Sequence, residues 1–202
     1  DRNALVTFAR DSIARGSKSF AAASRLFDRQ TRERVWLLYA WCRKCDDIAD
    51  GQDHGGTMSV VDDPHERLAH LRHMTDKALA GEVTGDPAFD ALGLVAKECA
   101  IPPAWPRDLI QGFAMDADGF SPKDEAELLL YCYHVAGVVG LMMAAVMGVA
   151  TDDDDTLRRA NDLGLAFQLA NIARDVSEDA AAGRSYLPAT WQTEGLALHD
   201  MT

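Results

Sequence analysis

The chain has 202 residues, of which 48% are hydrophobic and 26% charged, and this is enough material for one globular domain with a substantial core. The net charge is −12, and the densest basic region holds only Arg32, Arg34, Arg43 and Lys44, which argues against nucleic acid as the main partner. Four cysteines without a signal-peptide pattern indicate a reducing, cytoplasmic location.

Strand patterns are nearly absent, and helical periodicity dominates the chain. Asp62-Asp63-Pro64 and Ser121-Pro122-Lys123-Asp124 have the residue order of helix N-termini. The pattern predicts helices over roughly 2–15, 18–28, 31–50, 64–81, 86–100, 104–119, 123–148 and 152–181. Helices of this length predict an all-α bundle, a single domain over residues 1–202 with its site between facing helices.

One segment, 128–150, is almost entirely apolar and long enough to cross a membrane. Tyr131, Tyr133 and His134 near its start favour instead the central helix of a bundle, and we interpret it as the wall of a deep apolar cavity. A plain buried core helix without a cavity is the alternative. Small residues are expected to leave space beside this helix and methionines to line that space: Ala136, Gly137, Gly140, Met142, Met143 and Met147.

Two helical stripes far apart in the sequence carry the same chemistry. At about 100° per residue, each stripe lies on one face of its helix. Two carboxylates four residues apart repel, so they stabilise a helix only if a cation lies between them. Oxygen ligands of this kind suit Mg²⁺ or Mn²⁺. The first stripe is Tyr39, Arg43, Asp46 and Asp50, and the second is Gln168, Asn171, Asp175 and Asp179.

Two other patterns have simpler interpretations. The acidic run 152–155 stands at a helix start, where it favours the helix dipole and remains solvated. Cys42 and Cys45 have the spacing of a zinc or redox pair. No second pair accompanies them, so we favour two small apolar residues beside the acidic stripe.

Carboxylates that can bind a metal, next to an apolar cavity, fit a substrate with a polyanionic head and a long hydrocarbon tail. Diphosphate is a head that needs a divalent metal, and an isoprenoid chain is a suitable tail. A metal would make diphosphate a better leaving group. Aromatic faces would stabilise the allylic cation that remains, and Phe20, Tyr39 and Tyr131 are the candidates.

Further groups are candidates for holding the head. Ser17, Lys18 and Ser19 stand at a helix start, where hydroxyl groups, lysine and backbone N–H groups can bind an anion. Arg43 and Arg174 adjoin the acidic stripes and can bind phosphate oxygens in a bidentate way. Ion pairs with the neighbouring aspartates are the alternative for both arginines.

Four ordered segments resemble the squalene and phytoene synthase family, and within it bacterial phytoene synthases most: GSKSFAAASRLFD, LLYAWCRKCDDIAD, YCYHVAGVVGLMM and LGLAFQLANIARDVSEDAAAGRSYLP. The similarity runs from about Gly16 to about Trp191. It implies an isoprenoid-synthase helical bundle around a central apolar cavity. The family continues with more helices that close this cavity, so we expect the chain to lack the C-terminal ones.

The resemblance also implies roles for individual residues. Asp46 and Asp50 would bind diphosphate through metal, and Asn171, Asp175 and Asp179 would be direct metal ligands. Tyr131 matches a catalytic tyrosine near the reacting carbons. Val135, Ala136, Val139 and Gly140 match the cavity wall. The positions that match groups around the diphosphates are Ser17, Lys18, Ser19, Tyr39, Arg43, Gln168, Arg174 and Tyr186.

The implied activity is that of a prenyltransferase in carotenoid and isoprenoid biosynthesis. Two geranylgeranyl diphosphates would condense head to head, through prephytoene diphosphate, to phytoene with release of diphosphate. Mg²⁺ or Mn²⁺ is expected as cofactor and a nicotinamide is not. Because substrate and product are lipids, we expect peripheral contact with the inner face of the cell membrane; the sequence does not indicate an oligomeric state.

Three alternatives remain open. A sister enzyme would make dehydrosqualene or squalene from the shorter farnesyl diphosphate. A non-catalytic family member would bind a prenyl lipid, although such a member is expected to lose the acidic ligands that this chain keeps. A di-iron bundle would need Glu-x-x-His pairs, which the sequence lacks.

Overall fold

The computed structural model describes residues 1–51 and 63–193, with side chains up to Trp191. These residues contain no strand, which agrees with the predicted all-α class. A 3₁₀ turn, Ser24–Leu26, follows α2, and a π-helical turn, Tyr133–Gly137, joins α7 to α8. The α-helices of the described part are α1 Arg2–Gly16, α2 Lys18–Ala23, α3 Arg29–Ala49, α4 Pro64–Leu79, α5 Pro87–Glu98, α6 Ala104–Ala117, α7 Glu125–Cys132, α8 Val138–Val146, α9 Asp154–Ala181 and α10 Ala189–Thr193.

Acidic N-caps start several of these helices, as the sequence predicts. Asp63 accepts the His65 backbone N–H at 2.8 Å, with proline as the first helical residue. Asp124 accepts the Glu127 N–H at 2.9 Å, and Asp153 of the acidic run accepts the Thr156 N–H at 3.1 Å. Each cap satisfies a backbone donor that the helix cannot satisfy itself.

The structure differs from the predicted helices in three places. The predicted helix 18–28 stops at Ala23, and Asp28 instead caps α3 by accepting the N–H groups of Gln30 and Thr31 at 2.8 and 3.1 Å. The predicted helix 123–148 contains the π turn. The short helix α10 was not predicted, because five residues are too few to show helical periodicity.

Helix α3 is the central element of the bundle. It packs against α1 and α5, while α4 packs against α5 and α6, and α6 against α8 and the π turn. Leu37, Leu38, Trp41 and Cys45 of α3 are almost completely buried in this larger core. A smaller core between α7 and α9 is built around Tyr131.

The long apolar stretch Glu125–Val146 packs within this bundle. By length and composition it could cross a membrane. However, it lies between α6 and α9, and a core helix of a soluble bundle passes the same test.

The small residues of this stretch do not leave space beside it, so that prediction was wrong. A Cβ atom at Gly140 would collide with the carbonyl oxygen of Ala160 in α9. A Cβ atom at Gly164 of α9 would likewise lie only 2.6 Å from the carbonyl oxygen of Ala136. The small residues therefore let α8 and α9 pack backbone against backbone. Met142 is buried in the core and Met147 is exposed, so neither lines a cavity as expected.

Candidate functional site

An apolar cavity of about 620 Å³ lies between α1, α2, α3 and α8. Val135, Val139 and Met143 form one wall, which confirms the interpretation of this segment as a cavity wall. The opposite walls come from α1 to α3 and from one residue of α6: Ile13, Gly16, Ser17, Phe20, Ala23, Ser24, Phe27, Val35, Leu38, Tyr39, Cys42, Arg43, Asp46 and Leu109. Most of the surface of this cavity is hydrocarbon, so the cavity suits an apolar chain.

A second, polar cavity of about 470 Å³ adjoins the first. Asp46, Leu109 and Val135 line both cavities, so the two share a boundary. The ionisable and phenolic groups of the second cavity are Asp46, Asp50, Asp116, Tyr131, Arg67 and Arg184. One end of the combined space is therefore apolar and the other is rich in carboxylates.

The first acidic stripe lies at the C-terminal end of α3. The helix ends at Asp50 because Gly51 takes a left-handed backbone, with φ of 69°. A helix C-terminus carries partial negative charge and favours cations, yet the last turn of α3 contains no basic residue. Asp46 and Asp50 therefore stand where their negative charges are least favourable.

Burial and repulsion change the protonation of this stripe. Burial, together with the neighbouring charge of Asp50, raises the pKa of Asp46 to about 6. Arg43 opposes this rise but pairs with Asp47, whose Oδ1 accepts from its Nη2 at 2.7 Å. Arg43 is thus shared between Asp47 and the charge of Asp46.

Of the predicted anion-binding groups at the start of α2, one lines a cavity and two do not. Ser17 lines the apolar cavity and caps α2 by accepting the Phe20 N–H at 3.2 Å, and its hydroxyl lies 3.2 Å from that of Ser19. Lys18 and Ser19 are exposed and line neither cavity. Phe20 packs edge-on against Tyr39, with ring centroids 6.2 Å apart, at the wall of the apolar cavity.

Tyr131 and Tyr186, both predicted from the resemblance, meet at one carboxylate. Tyr131 donates to both oxygens of Asp116 at 3.0 and 3.1 Å, and Tyr186 donates to Oδ1 at 2.9 Å. The Tyr131 ring is stacked between Phe120 and Tyr186, with centroids 5.1 and 5.0 Å away. Burial raises the pKa of Tyr131 far above its usual range, so the phenol stays protonated.

Sequence reasoning missed Asp116. Its partners lie 15 and 70 residues away, and no local motif surrounds it. The available signal was its position on the apolar face of α6, where it follows Leu109 and Phe113 at helical spacing and lines the same cavity. Burial raises the pKa of its carboxyl group, while the hydrogen bonds from the two tyrosines lower it.

The second acidic stripe lies on α9 and lines neither cavity. Arg174 donates two hydrogen bonds to Asp175, from Nε at 2.7 Å and from Nη2 at 2.6 Å, so the predicted phosphate ligand is here an ion pair with the predicted metal ligand. Asn171 is exposed, while Gln168 and Asp179 are partly exposed. As in α3, the last turn of α9 holds no basic residue.

The oxygen donors of the two stripes are of the type that a hard divalent cation requires. Within residues 1–51 and 63–193, no three His, Cys, Asp or Glu side chains come close enough to hold a metal by themselves. This is compatible with Mg²⁺, which is usually held by one or two carboxylates together with substrate phosphates. The predicted metal roles of Asp46, Asp50, Asn171, Asp175 and Asp179 remain predictions.

Cys42 and Cys45 lie in apolar surroundings. Cys42 lines the apolar cavity, Cys45 is buried in the core, and both thiols are free. Burial raises the pKa of both thiols, which keeps them protonated. These surroundings agree with the interpretation of two small apolar residues.

A helical bundle that surrounds an apolar cavity with an acidic end has the isoprenoid-synthase fold. A squalene synthase, HpnC, from Alicyclobacillus acidocaldarius superposes with a TM-score of 0.83 at 27% identity, over 99% of this chain and 72% of that one. A dehydrosqualene synthase solved with a ligand gives a TM-score of 0.82 at 30% identity, over 99% and 67% of the two chains.

The sequence comparison gives the family. The squalene/phytoene synthase family model matches residues 13–202, and the chain belongs to this family. The 15-cis-phytoene synthase of Pantoea ananas is 52% identical over 95% of the chain, and that of a Paracoccus strain is 51% identical over 93%. The chain spans about three fifths of the length of these relatives, 62% and 61% respectively.

Proposed function

We propose that this chain acts as a phytoene synthase, a prenyltransferase that joins two geranylgeranyl diphosphates head to head in carotenoid biosynthesis. The observation that carries the proposal is the shared boundary at Asp46, where an apolar cavity meets a cavity rich in carboxylates. A prenyl diphosphate has the same division between hydrocarbon tail and polyanionic head. The names of relatives at 51–52% identity support the same reaction.

The apolar cavity would hold the prenyl tail. Val139, Met143 and Leu38 supply contact surface for hydrocarbon, and burying this surface drives binding. The diphosphate would then lie near Asp46 and Asp50, with Arg43 beside it. Two anionic groups can meet there only if a cation lies between them.

Mg²⁺ or Mn²⁺ is the proposed cofactor, and Asp46, Asp50, Asn171, Asp175 and Asp179 are the residues that would hold it. When bound, the metal neutralises diphosphate and makes it a better leaving group. We propose no nicotinamide cofactor, because the overall conversion of two geranylgeranyl diphosphates into phytoene and two diphosphates needs no reductant.

The protein must then control a carbocation. Departure of the first diphosphate leaves an allylic cation, which the double bond of the second substrate attacks, and loss of a proton gives prephytoene diphosphate. Departure of the second diphosphate, rearrangement and loss of another proton give phytoene. The stacked rings of Phe120, Tyr131 and Tyr186 lie beside the polar cavity, where aromatic faces stabilise positive charge and exclude water.

The second candidate is condensation of farnesyl diphosphate to dehydrosqualene or squalene. The two structural neighbours named for squalene-type products favour it, although at lower identity than the phytoene synthases. The length of the product distinguishes the two. For either reaction we propose a cytoplasmic enzyme in peripheral contact with the inner face of the cell membrane, since substrate and product are lipids.

The test is to incubate the protein with Mg²⁺ and geranylgeranyl diphosphate, or with farnesyl diphosphate, and to identify the product by chromatography. We expect phytoene from the first substrate and loss of product in Asp175→Ala, with Asp162→Ala, an exposed aspartate on the same helix, as the matched control. Since the relatives are longer, the assay includes a chimera completed with the unmatched part of the Pantoea ananas enzyme. No phytoene from either protein, or full activity of Asp175→Ala, would overturn the proposal.

A further inference from the structure

Two large hydrophobic side chains are exposed on α2 and the 3₁₀ turn after it. Leu26 is 90% exposed, and Phe20 is 62% exposed. The turn is held in place, because Trp36 of α3 donates its indole N–H to Ser24 Oγ at 3.0 Å, and Ser24 in turn donates to the Ala21 carbonyl at 2.8 Å. Leu26 is therefore presented to solvent by a fixed turn, and such apolar exposure marks an interaction site.

The net charge of the sequence around these residues is positive, whereas the net charge of the whole chain is negative. Residues 10–34 contain seven Lys or Arg and three Asp or Glu, in a chain of net charge −12. Arg15, Lys18 and Arg25 are exposed, and none of them makes an ion pair with another residue of the described part. This region therefore attracts an anionic surface that the rest of the protein repels.

A groove of about 450 Å³ runs beside the turn, and its charged and aromatic lining is Arg10, Asp11, Arg25, Arg32 and Trp36. Arg10 pairs with Asp11 at 3.4 Å, which leaves Arg25 and Arg32 as the cations without a carboxylate partner in the groove. The Nε atom of Arg32 is buried without a hydrogen-bond partner in the described structure, and its guanidinium lies over the Trp36 ring, 5.7 Å from the centroid. A buried donor without a partner is unfavourable, and a phosphate oxygen would satisfy it. Guanidinium groups suit phosphate because they donate in a planar, bidentate way.

We propose that α2, the 3₁₀ turn and this groove form the surface that docks on an anionic phospholipid bilayer. Leu26 enters the headgroup region, and Arg25 and Arg32 hold lipid phosphates. The inference deepens the peripheral membrane contact of the proposed function, but it is argued from exposure and charge alone. The side of α2 that carries Ser17, Phe20 and Ala23 lines the apolar cavity, so docking through the adjoining 3₁₀ turn places this cavity next to the membrane from which a prenyl lipid arrives.

Charge also distinguishes this surface from a pair of exposed apolar side chains on α9. Leu163 is 59% exposed and Phe167 is 65% exposed. However, residues 152–181 contain eight Asp or Glu and three Lys or Arg, so an anionic bilayer would repel this helix.

The test is co-sedimentation of the protein with phosphatidylcholine vesicles that contain about 30% phosphatidylglycerol, a composition with the anionic surface potential of a cytoplasmic leaflet. We expect binding that weakens at high salt and is lost on pure phosphatidylcholine. Leu26→Glu and Arg25→Glu should each weaken binding by at least about fivefold, the equivalent of about 1 kcal/mol per surface charge. Both side chains are exposed, so circular dichroism should show unchanged helices.

Val83→Glu is the matched control, because Val83 is 82% exposed outside this surface, and it should bind vesicles like the parent. Phe167→Glu tests the α9 patch and should also bind normally. The proposal would be overturned if Arg25→Glu bound vesicles as well as the parent does, or if only Phe167→Glu lost vesicle binding. Saturation of the groove by inorganic phosphate with no effect on vesicle binding would also overturn it. Sedimentation needs no turnover, so failure here leaves the proposed reaction standing, and failure of the reaction leaves the docking surface standing.

Discussion

At the scale of single residues, Asp116 orients the two tyrosines of the polar cavity. One carboxylate accepts hydrogen bonds from the hydroxyl groups of Tyr131 and Tyr186, and the stacked rings leave neither phenol free to turn away. Under the proposed function, this geometry makes Asp116 a positioning residue, because it fixes the two tyrosines that line the polar cavity. An amide in its place would offer one oxygen acceptor and add a donor that competes with the phenols.

We expect Asp116→Asn to lower kcat by about 100-fold with little change in KM, since a small misplacement of catalytic groups has an effect of this size. Removing the negative charge should also lower the pKa of Tyr131, because Asp116 contributes to raising it. Near-ultraviolet circular dichroism of the stacked rings should change if their orientation changes, and it tests the positioning role without turnover. The control is Asp108→Asn, which removes a similar hydrogen bond, from Tyr133 at 2.6 Å, elsewhere on α6. Equal losses of kcat in both variants would contradict a positioning role for Asp116.

At the scale of elements, the contact between the π turn and α9 depends on glycine. A Cβ atom at Gly164 would lie 2.6 Å from the Ala136 carbonyl oxygen and 2.9 Å from Gly137 Cα, both of them backbone atoms that cannot move aside. This contact holds the helix with the second acidic stripe against the π turn that lines both cavities.

We therefore expect Gly164→Ala to lower the free energy of unfolding by about 1–3 kcal/mol, as overpacking does. Helix propensity alone predicts the opposite sign, a gain of about 1 kcal/mol. Thermal unfolding followed by circular dichroism decides between the two effects. Ser177→Ala, at an exposed position of the same helix, should leave the midpoint nearly unchanged. A higher midpoint for Gly164→Ala would show that α9 is not held this closely.

Much of this arrangement follows from local pattern, and the rest depends on contacts between distant residues. The Asp63 cap, the acidic stripes and the cavity wall at Val139 were predictable, since helical spacing and cap residues act within a few positions. The π turn was not, because its anchor is tertiary: His134 Nδ1 lies 2.9 Å from the Asp108 carbonyl oxygen. The prediction of open space beside Gly137 and Gly140 was wrong for the same reason, since the sequence does not show that α9 fills this space.

At the scale of the whole molecule, an excess of negative charge links stability to pH and to what binds at the acidic end of the cavities. Burial, with the charge of Asp50, raises the pKa of Asp46 to about 6, whereas a free aspartyl group has a pKa near 3.8. The folded state therefore binds this proton more tightly than the unfolded chain does. The resulting stability is complete below about pH 4 and is lost as the pH rises through about 6.

Asp46→Asn removes this ionisation, so in the absence of metal it should unfold at a higher temperature than the parent at pH 8. The gain should be largest at pH 8 and should decrease towards pH 4. Mg²⁺ with diphosphate should raise the midpoint of the parent at pH 8 by binding only the folded state, and should raise that of Asp46→Asn much less. Differential scanning calorimetry at several pH values measures both effects. Parallel pH dependence in the two proteins would show that Asp46 ionises normally, and the carboxylates would then lose the electrostatic reason to bind a cation.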